Sequence, residues 1–501
     1  MDKLVEKIQA WIYNNKLEFV LLIIILLIGA FLRLYKINEY MTFLGDEGRD
    51  AIIVRNFITK GDLMLIGPGT SVGNMYLGSL YYYLMAPALL LANFSPVGPA
   101  VQIALLGVVT IFLVWFVGRE WFPSSKTNYA ALIATFLYAI SPVIIYYSRS
   151  SWNPNIMPFF ALLSIYAIWR VWIKKEYGWL TVLGVSYAFV LQSHYFGLLL
   201  APTLGLFWLL SYKKEIIKPT LKGLGFFLFL MSPLVIFDVR HNWLNTRAII
   251  AFLSAKQATV SFQPLSTLPK IPAIFTNIID RLVNGTYPAV GAVTLGFLAI
   301  LAFVAYFKNK KPYLLLFSWL GFALIGFSFY KQNIYDHYFG FVFAVPYLFL
   351  AGIGNYILEG KLKWPKYIWM GVILVLVIQN LINNPLRSSP NKQMLRAQTV
   401  AAKITQEAGG KPFNLAVIAG TNYEDGYQYF LERLNQPVVE IDAQKAQETI
   451  TSQLFVVCEL TEDKCNPTTN FKPQVANFGW SKVESEWQVA GAILYKLVHT
   501  R

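Results

Sequence analysis

Charge is scarce in this chain. Asp, Glu, Lys and Arg make up 14% of its 501 residues while 56% are hydrophobic, against about 25% charged in an ordinary soluble domain. A soluble globular protein of this length is excluded, and a polytopic membrane protein is indicated. Cysteine and histidine are scarcer still, at 2 and 4 residues, which excludes a disulfide-dense secreted scaffold and a Cys/His metal module. Cys458 and Cys465 in "CELTEDKC" suit a disulfide outside the cell and, equally, two free thiols in a reducing compartment. No His or further Cys lies near enough in sequence to make them a metal site.

What charge there is has a pattern. The net balance is +15, but the basic residues sit in short clusters between apolar runs, which speaks for membrane orientation and against nucleic acid as a partner. Apolar stretches long enough to cross roughly 30 Å of hydrocarbon recur near 18–34, 97–118, 129–147, 155–173, 220–238, 289–307, 313–330, 338–357 and 366–383. The run 179–211 is broken at Gln192, Ser193 and His194 and reads as a helical hairpin. In total, about 11 to 13 transmembrane helices are expected. The clusters "KKE" at 174–176, "KKEIIK" at 213–218, "KNKK" at 308–311 and "EGKLKWPK" at 359–366 place their loops, and the N-terminus, in the cytoplasm of a multi-pass plasma-membrane protein. The first run has no small-residue cleavage site after it and reads as a retained anchor. If 75–94 were a full crossing, "GREWFPSSK" would be forced outside, so that segment is expected to be re-entrant or interfacial.

After residue 385 the composition turns polar and alternates helix-like with strand-like segments. "FNLAVIAG", "PVVEI" and "QLFVVCEL" read as strands, and "YEDGYQYFLERLN" and "DAQKAQETI" as helices. This predicts two domains, a membrane domain over 1–385 and a small extracytoplasmic α/β domain over 386–501.

Among so few charges, "GDEGRDAIIVRNFI" directly after the first apolar run gathers Asp46, Glu47, Arg49 and Asp50 at the lip of a membrane helix. The plain reading is an amphipathic helix lying on the membrane, with Asp46 as its N-cap and Glu47 favoured by the helix dipole. It leaves open why two adjacent carboxylates stand where ionised groups are costly, since Asn or Ser would cap as well. A carboxylate with Arg49 one turn away suits a general base, and Arg49 suits a phosphate. Other outward loops bring Arg149, Trp152, Asn153 and Asn155 in "SRSSWNPN", His194 in "LQSHYFG", His337 and Tyr338 in "YDHYFG", and Tyr82 in a run of three tyrosines. Taken singly, a Trp at a helix end is as readily an interfacial anchor, and a lone His a structural hydrogen-bonder. They gain weight because they converge on one face.

This order of features resembles the GT-C glycosyltransferases, and within them the protein O-mannosyltransferase and lipid A aminoarabinose transferase group. The resemblance covers most of 18–350. It implies an inverting transferase that takes a sugar from a polyprenyl-phosphate carrier to an extracytoplasmic acceptor, with Asp46 as catalytic base and Glu47 as its acidic neighbour. Arg49, Tyr82, Arg149, Asn153, His194, His337 and Tyr338 are the expected substrate-binding residues. A divalent metal enters as a cofactor only through Glu47. Where the aminoarabinose transferases carry a Glu-Lys-Pro motif, this chain reads "MYLGSLYYY", without the acid, the Lys or the Pro. The competing class, a flippase or transporter for a lipid-linked or anionic solute, usually places charge within its crossings and shows two similar halves; the predicted crossings here are nearly charge-free and show no repeat. A non-enzymatic scaffold leaves the carboxylate cluster unexplained.

Overall fold

The computed structural model describes residues 2–70, 75–254, 267–285 and 301–500. Among these, six helices are long and apolar enough to cross a membrane: Lys16–Leu34, Val97–Trp121, Asn153–Lys174, Lys214–Arg240, Lys310–Ser328 and Trp364–Ile382. A seventh crossing is added if Asp336–Val342 and Val345–Leu358, bent by 50° at their junction, are one span. The other expected runs are interrupted. The 129–147 run breaks at Ser141 into Tyr129–Ile140 and Pro142–Tyr147, because proline removes the backbone donor the helix would need. The 179–211 run turns at His194, as expected, into Trp179–Ser193 and Tyr195–Leu209. Most of the expected 289–307 crossing lies outside the described residues.

Polar ties mark the two ends of this bundle. At one end the buried Glu18 accepts from Trp115 Nε1 (3.1 Å), Arg119 Nε (2.9 Å) and the Asn128 backbone (3.2 Å). These bonds draw the start of the first long helix to the end of Val97–Trp121. At the other end lie the helix Gly45–Lys60, the loop 148–152 and everything after residue 385.

The helix Leu80–Leu91 belongs to that second face at both its ends. Tyr82 and Tyr83 at its start bond Asp50 and Met64, while Phe94 just past its end accepts from Tyr429 at 2.6 Å. With 12 residues it is only about 18 Å long. Both its ends thus bond to the face that carries Gly45–Lys60. A two-stranded ribbon, β1 (Ile66–Gly69) and β2 (Tyr76–Gly78), precedes it.

The C-terminal segment opens with the helix Gln393–Ala408 and then builds a four-stranded sheet. Its strands are β3 (Asn414–Ile418), β4 (Gln453–Cys458), β5 (Ser481–Val489) and β6 (Ala492–His499), in the order β3-β4-β6-β5. β3 and β4 are parallel, with Asn414 opposite Leu454 and Ile418 opposite Cys458; the remaining pairs are antiparallel. Helix Asp425–Arg433 matches expectation. "PVVEI" does not form the expected strand: it makes one bridge, Phe413 to Val438. "DAQKAQETI" holds only the short turns Ala443–Lys445 and Ala446–Thr449, too brief to bury an apolar face. Cys458 and Cys465 are joined in a disulfide, which resolves the choice that spacing left open.

One apolar cluster joins this segment to the rest of the chain. Phe43, Ala51 and Val54 around the opening helix share it with Tyr427, Tyr429, Phe430 and Leu431, and the Phe43 and Phe430 rings lie 5.4 Å apart. The sheet therefore sits on the charged motif. Exposed Lys60 and Lys411 share this face, and exposed Ser125 lies at the Glu18 end. A membrane-impermeant maleimide is expected to label Lys60→Cys and Lys411→Cys in intact cells and Ser125→Cys only after permeabilisation. The reverse pattern would contradict the orientation.

Candidate functional site

The opening helix begins without Asp46 as its cap. Leu44 is the N-cap and Asp46 stands in the first turn. Glu47 reaches back so that its Oε2 accepts from the Leu44 backbone at 3.0 Å, the side-chain half of a capping box. Helix initiation thus falls to Glu47 and frees the Asp46 carboxylate for other partners.

Those partners form a chain of charge. Arg49 Nη1 donates to Asp46 Oδ1 at 2.8 Å, and its Nη2 and Nε donate to Asp50 Oδ1 at 2.8 and 3.1 Å. Tyr82 donates to the same Asp50 oxygen at 3.0 Å, and Tyr423, from the C-terminal segment, donates to Asp46 Oδ1. The motif's glycines are explained by this docking. A Cβ on Gly45 would stand 2.3 Å from the Tyr423 ring, and one on Gly48 would stand 2.4 Å from the Asp425 backbone. Neither contact is survivable without the segment moving away.

The three carboxylates differ in burial and so in chemistry. The Asp46 side chain is 40% exposed and ion-paired, whereas the Asp50 side chain is fully buried. Burial pushes the Asp50 carboxyl up to about 6, against the pull of Arg49. Its second oxygen, Oδ2, is buried without a partner, which is where a proton would sit. Burial likewise pushes Glu47 up to about 7, with the Leu44 backbone opposing and Asp46 adding to the rise. Arg49 remains charged despite burial because Asp50, Tyr82, Asp46 and Tyr423 surround it. Asp46 is thus the exposed, paired carboxylate of the three.

A cavity of about 390 Å³ opens beside it, within the range of small-ligand sites. Asp46 and Glu47 lie on one wall, Ser150, Trp152, Asn155 and His337 on another, and Thr421 and Tyr423 close it from the C-terminal segment. His337 packs at 4.6 Å on Trp152 and stacks parallel to Tyr335 at 5.9 Å. Asn155 Oδ1, on the cavity wall, has no protein partner.

The structure sorts the remaining expected residues away from this wall. Arg149 is buried and spends its guanidinium on the carbonyls of Leu32 (2.5 Å) and Tyr35 (2.6 Å), pinning the end of the first long helix. It is a backbone tie, since those carbonyls have no helical partner. Asn153 donates to the Ser193 carbonyl at 2.7 Å, and Tyr82 is buried against Asp50. Arg49 is held between two carboxylates and is not among the cavity-lining groups. His194 Nδ1 accepts from the Phe196 backbone at 3.2 Å. His194 and Tyr338 stand behind His337, with Tyr338 at 4.8 and 4.5 Å from the two imidazoles. Among the described residues no group of three or more His, Cys, Asp or Glu side chains is placed to hold a metal ion. Glu47, the metal candidate, has one oxygen on a backbone N–H and its pKa near neutrality, so the residues present do not fit a metal centre.

Sequence reasoning missed Thr421 and Tyr423. A signal was available: "AGTNYED" follows β3 at the carboxyl end of a parallel strand, the usual place for ligand contacts in α/β units.

Because the Glu47 pKa is raised on folding, its contribution to stability is fully present below the ordinary carboxylate range and is lost as the pH rises through about 7. Glu47→Gln keeps an acceptor for Leu44 but stays neutral. Its Tm in detergent is expected to match wild type in acid and to exceed it increasingly up to and above pH 7. Equal Tm values at every pH would contradict the burial account.

Residues 78–237 match the family model described as dolichyl-phosphate-mannose-protein mannosyltransferase; the Asp46–Glu47 motif lies ahead of that stretch. No curated protein matches the chain. Among solved structures, ArnT from Cupriavidus metallidurans bound to undecaprenyl phosphate superposes with a TM-score of 0.61 at 12% identity, covering 95% of this chain and 97% of that one. The oligosaccharyltransferase AglB from Archaeoglobus fulgidus, in complex with an inhibitory peptide and a dolichol-phosphate, gives 0.52 at 14% identity over 88% of this chain and 69% of that one. The chain therefore has the fold of the GT-C membrane glycosyltransferases, and in residues 78–237 it carries the sequence pattern of the dolichyl-phosphate-mannose-protein mannosyltransferase family.

Proposed function

We propose that this chain is an integral-membrane glycosyltransferase that moves a sugar, with inversion, from a polyprenyl-phosphate carrier to an extracytoplasmic acceptor. Residues 1–385 form its membrane part and 386–501 its outer domain, with the N-terminus cytoplasmic. The observation that carries this reading is the Asp46 carboxylate, ion-paired yet 40% exposed, on the wall of a cavity at the membrane lip of a GT-C fold.

The chemistry follows from that placement. The acceptor hydroxyl gives its proton to Asp46 as its oxygen bonds to the anomeric carbon. The bond from that carbon to the phosphate oxygen breaks on the opposite face, and its electron pair leaves with the polyprenyl phosphate. A phosphate ester is a stable anion, so the leaving group needs no acid and one carboxylate is enough. Asp50 is fully buried and Glu47 spends an oxygen on the Leu44 backbone, so Asp46 is the carboxylate an acceptor can reach. The aromatic wall of Trp152, His337 and Tyr335 offers a sugar a flat apolar face.

Asp46→Asn tests this without disturbing the helix start, because Leu44 and Glu47 make the cap. The assay uses the full chain in lipid nanodiscs, a panel of undecaprenyl-phosphate-linked mannose, glucose, galactose and arabinose, and octyl glucoside as a hydroxyl acceptor. Wild type is expected to transfer from at least one donor. Asp46→Asn is expected to fold normally and turn over at least about 100-fold more slowly, the scale of general-base removal. Near-wild-type turnover by the variant would remove Asp46 from the chemistry.

A further inference from the structure

The Tyr423 phenol donates its hydrogen bond to Asp46 Oδ1, the group that, on the proposed function, takes the acceptor's proton. An acceptor hydroxyl must itself donate to this carboxylate before it can react. Tyr423 therefore already makes the contact an acceptor has to make. Resting on that reading of the site, we infer that Tyr423 is the acceptor-side gate of the cavity: its phenol stands in for the acceptor hydroxyl on Asp46 and is displaced when an acceptor enters.

Four features of the surroundings support this. Tyr423 and the exposed Thr421 line the same cavity as Asp46 and His337, so what replaces the phenol enters the reaction space itself. The loop that carries them, residues 419–424, leaves the carboxyl end of β3 and runs into helix Asp425–Arg433, where α/β units present ligand-contacting loops. The loop is pinned at one point beside the phenol: Asn422 Oδ1 accepts from the Gly45 and Tyr423 backbones at 2.9 Å each, and its Nδ2 donates to Glu459 at 2.6 Å. On the other side of this pin, a side chain added at Gly420 would meet nothing within 4 Å, leaving room for that stretch to adjust. Finally, the ring reaches Asp46 only because Gly45 has no side chain, so the motif's first glycine serves the gate as well as the docking.

A phenol is suited to hold this place as a donor. Burial and the neighbouring Asp46 push the Tyr423 hydroxyl further above its ordinary pKa, so it keeps its proton and remains a donor.

Tyr423→Phe keeps the ring on Gly45 and removes only the donor. In nanodiscs, with the undecaprenyl-phosphate sugar that wild type uses from the panel above, the variant is expected to lower the KM for octyl glucoside roughly 10-fold, the scale of one hydrogen bond to a charged group. Its kcat is expected to stay within about twofold, and hydrolysis of the donor by water to rise. A fall in kcat at unchanged KM would assign the phenol to positioning Asp46, and no change in either would leave it no role; both overturn the gate while the glycosyltransferase reading stands. A second readout needs no variant: deuterium uptake by 419–424 in wild type is expected to rise with saturating octyl glucoside, and unchanged uptake overturns displacement. Failure of wild type to transfer from any donor in the panel would instead overturn the proposed function, and the gate with it.

Discussion

A guanidinium held between two carboxylates organises one face of this molecule. Arg49 joins the exposed Asp46 to the buried Asp50, and through them it joins Tyr423 of the C-terminal segment to Tyr82 of the helix Leu80–Leu91. Such a triad is tolerated out of water only when its donors and acceptors are matched. Here Arg49 and Tyr82 supply three bonds to one Asp50 oxygen, and the raised Asp50 pKa leaves the other oxygen available for a proton. The sheet domain, the membrane lip and the helix Leu80–Leu91 are thereby fixed to one charged point.

The same arrangement divides labour among three acids that sequence presents as equivalent. Glu47 is turned back to start the helix and sits near neutrality. Asp50 is buried as the counter-charge for Arg49. Asp46 alone is both paired and open to the cavity. Burial therefore separates a structural acid, an electrostatic anchor and an accessible carboxylate within five residues. The two glycines of "GDEG" let the outer domain approach closely enough to cover them.

Much of the membrane part was legible because it rests on length and charge asymmetry, which act locally. The crossings expected at 18–34, 97–118 and 366–383 appear as long helices, and the segment expected not to cross holds only the short helix Leu80–Leu91. Broken runs were harder, since Ser141–Pro142 interrupts a helix without lowering its mean hydropathy. Within the site, Asp46 and His337 were legible as scarce polar groups at loop positions. Arg149 and Asn153 stood out in the same way as polar groups in a loop, but their donors go to backbone carbonyls of Leu32, Tyr35 and Ser193, partners that only the folded chain brings together. Tyr423 was hidden because it lies 377 positions from Asp46 in a segment read as a separate domain. The β5–β6 hairpin was hidden because its outer strand is mostly charged and polar, carrying little apolar alternation.

On the proposed function, the cavity beside Asp46 is where a polyprenyl-phosphate donor is opened. A cryo-EM structure of the full chain with undecaprenyl phosphate tests it most directly. The account predicts the phosphate in this cavity, no farther from the Asp46 carboxylate than a sugar ring spans, with the isoprenoid chain running into the bilayer. A phosphate bound elsewhere, with Asp46 and Tyr423 facing empty solvent, would contradict it.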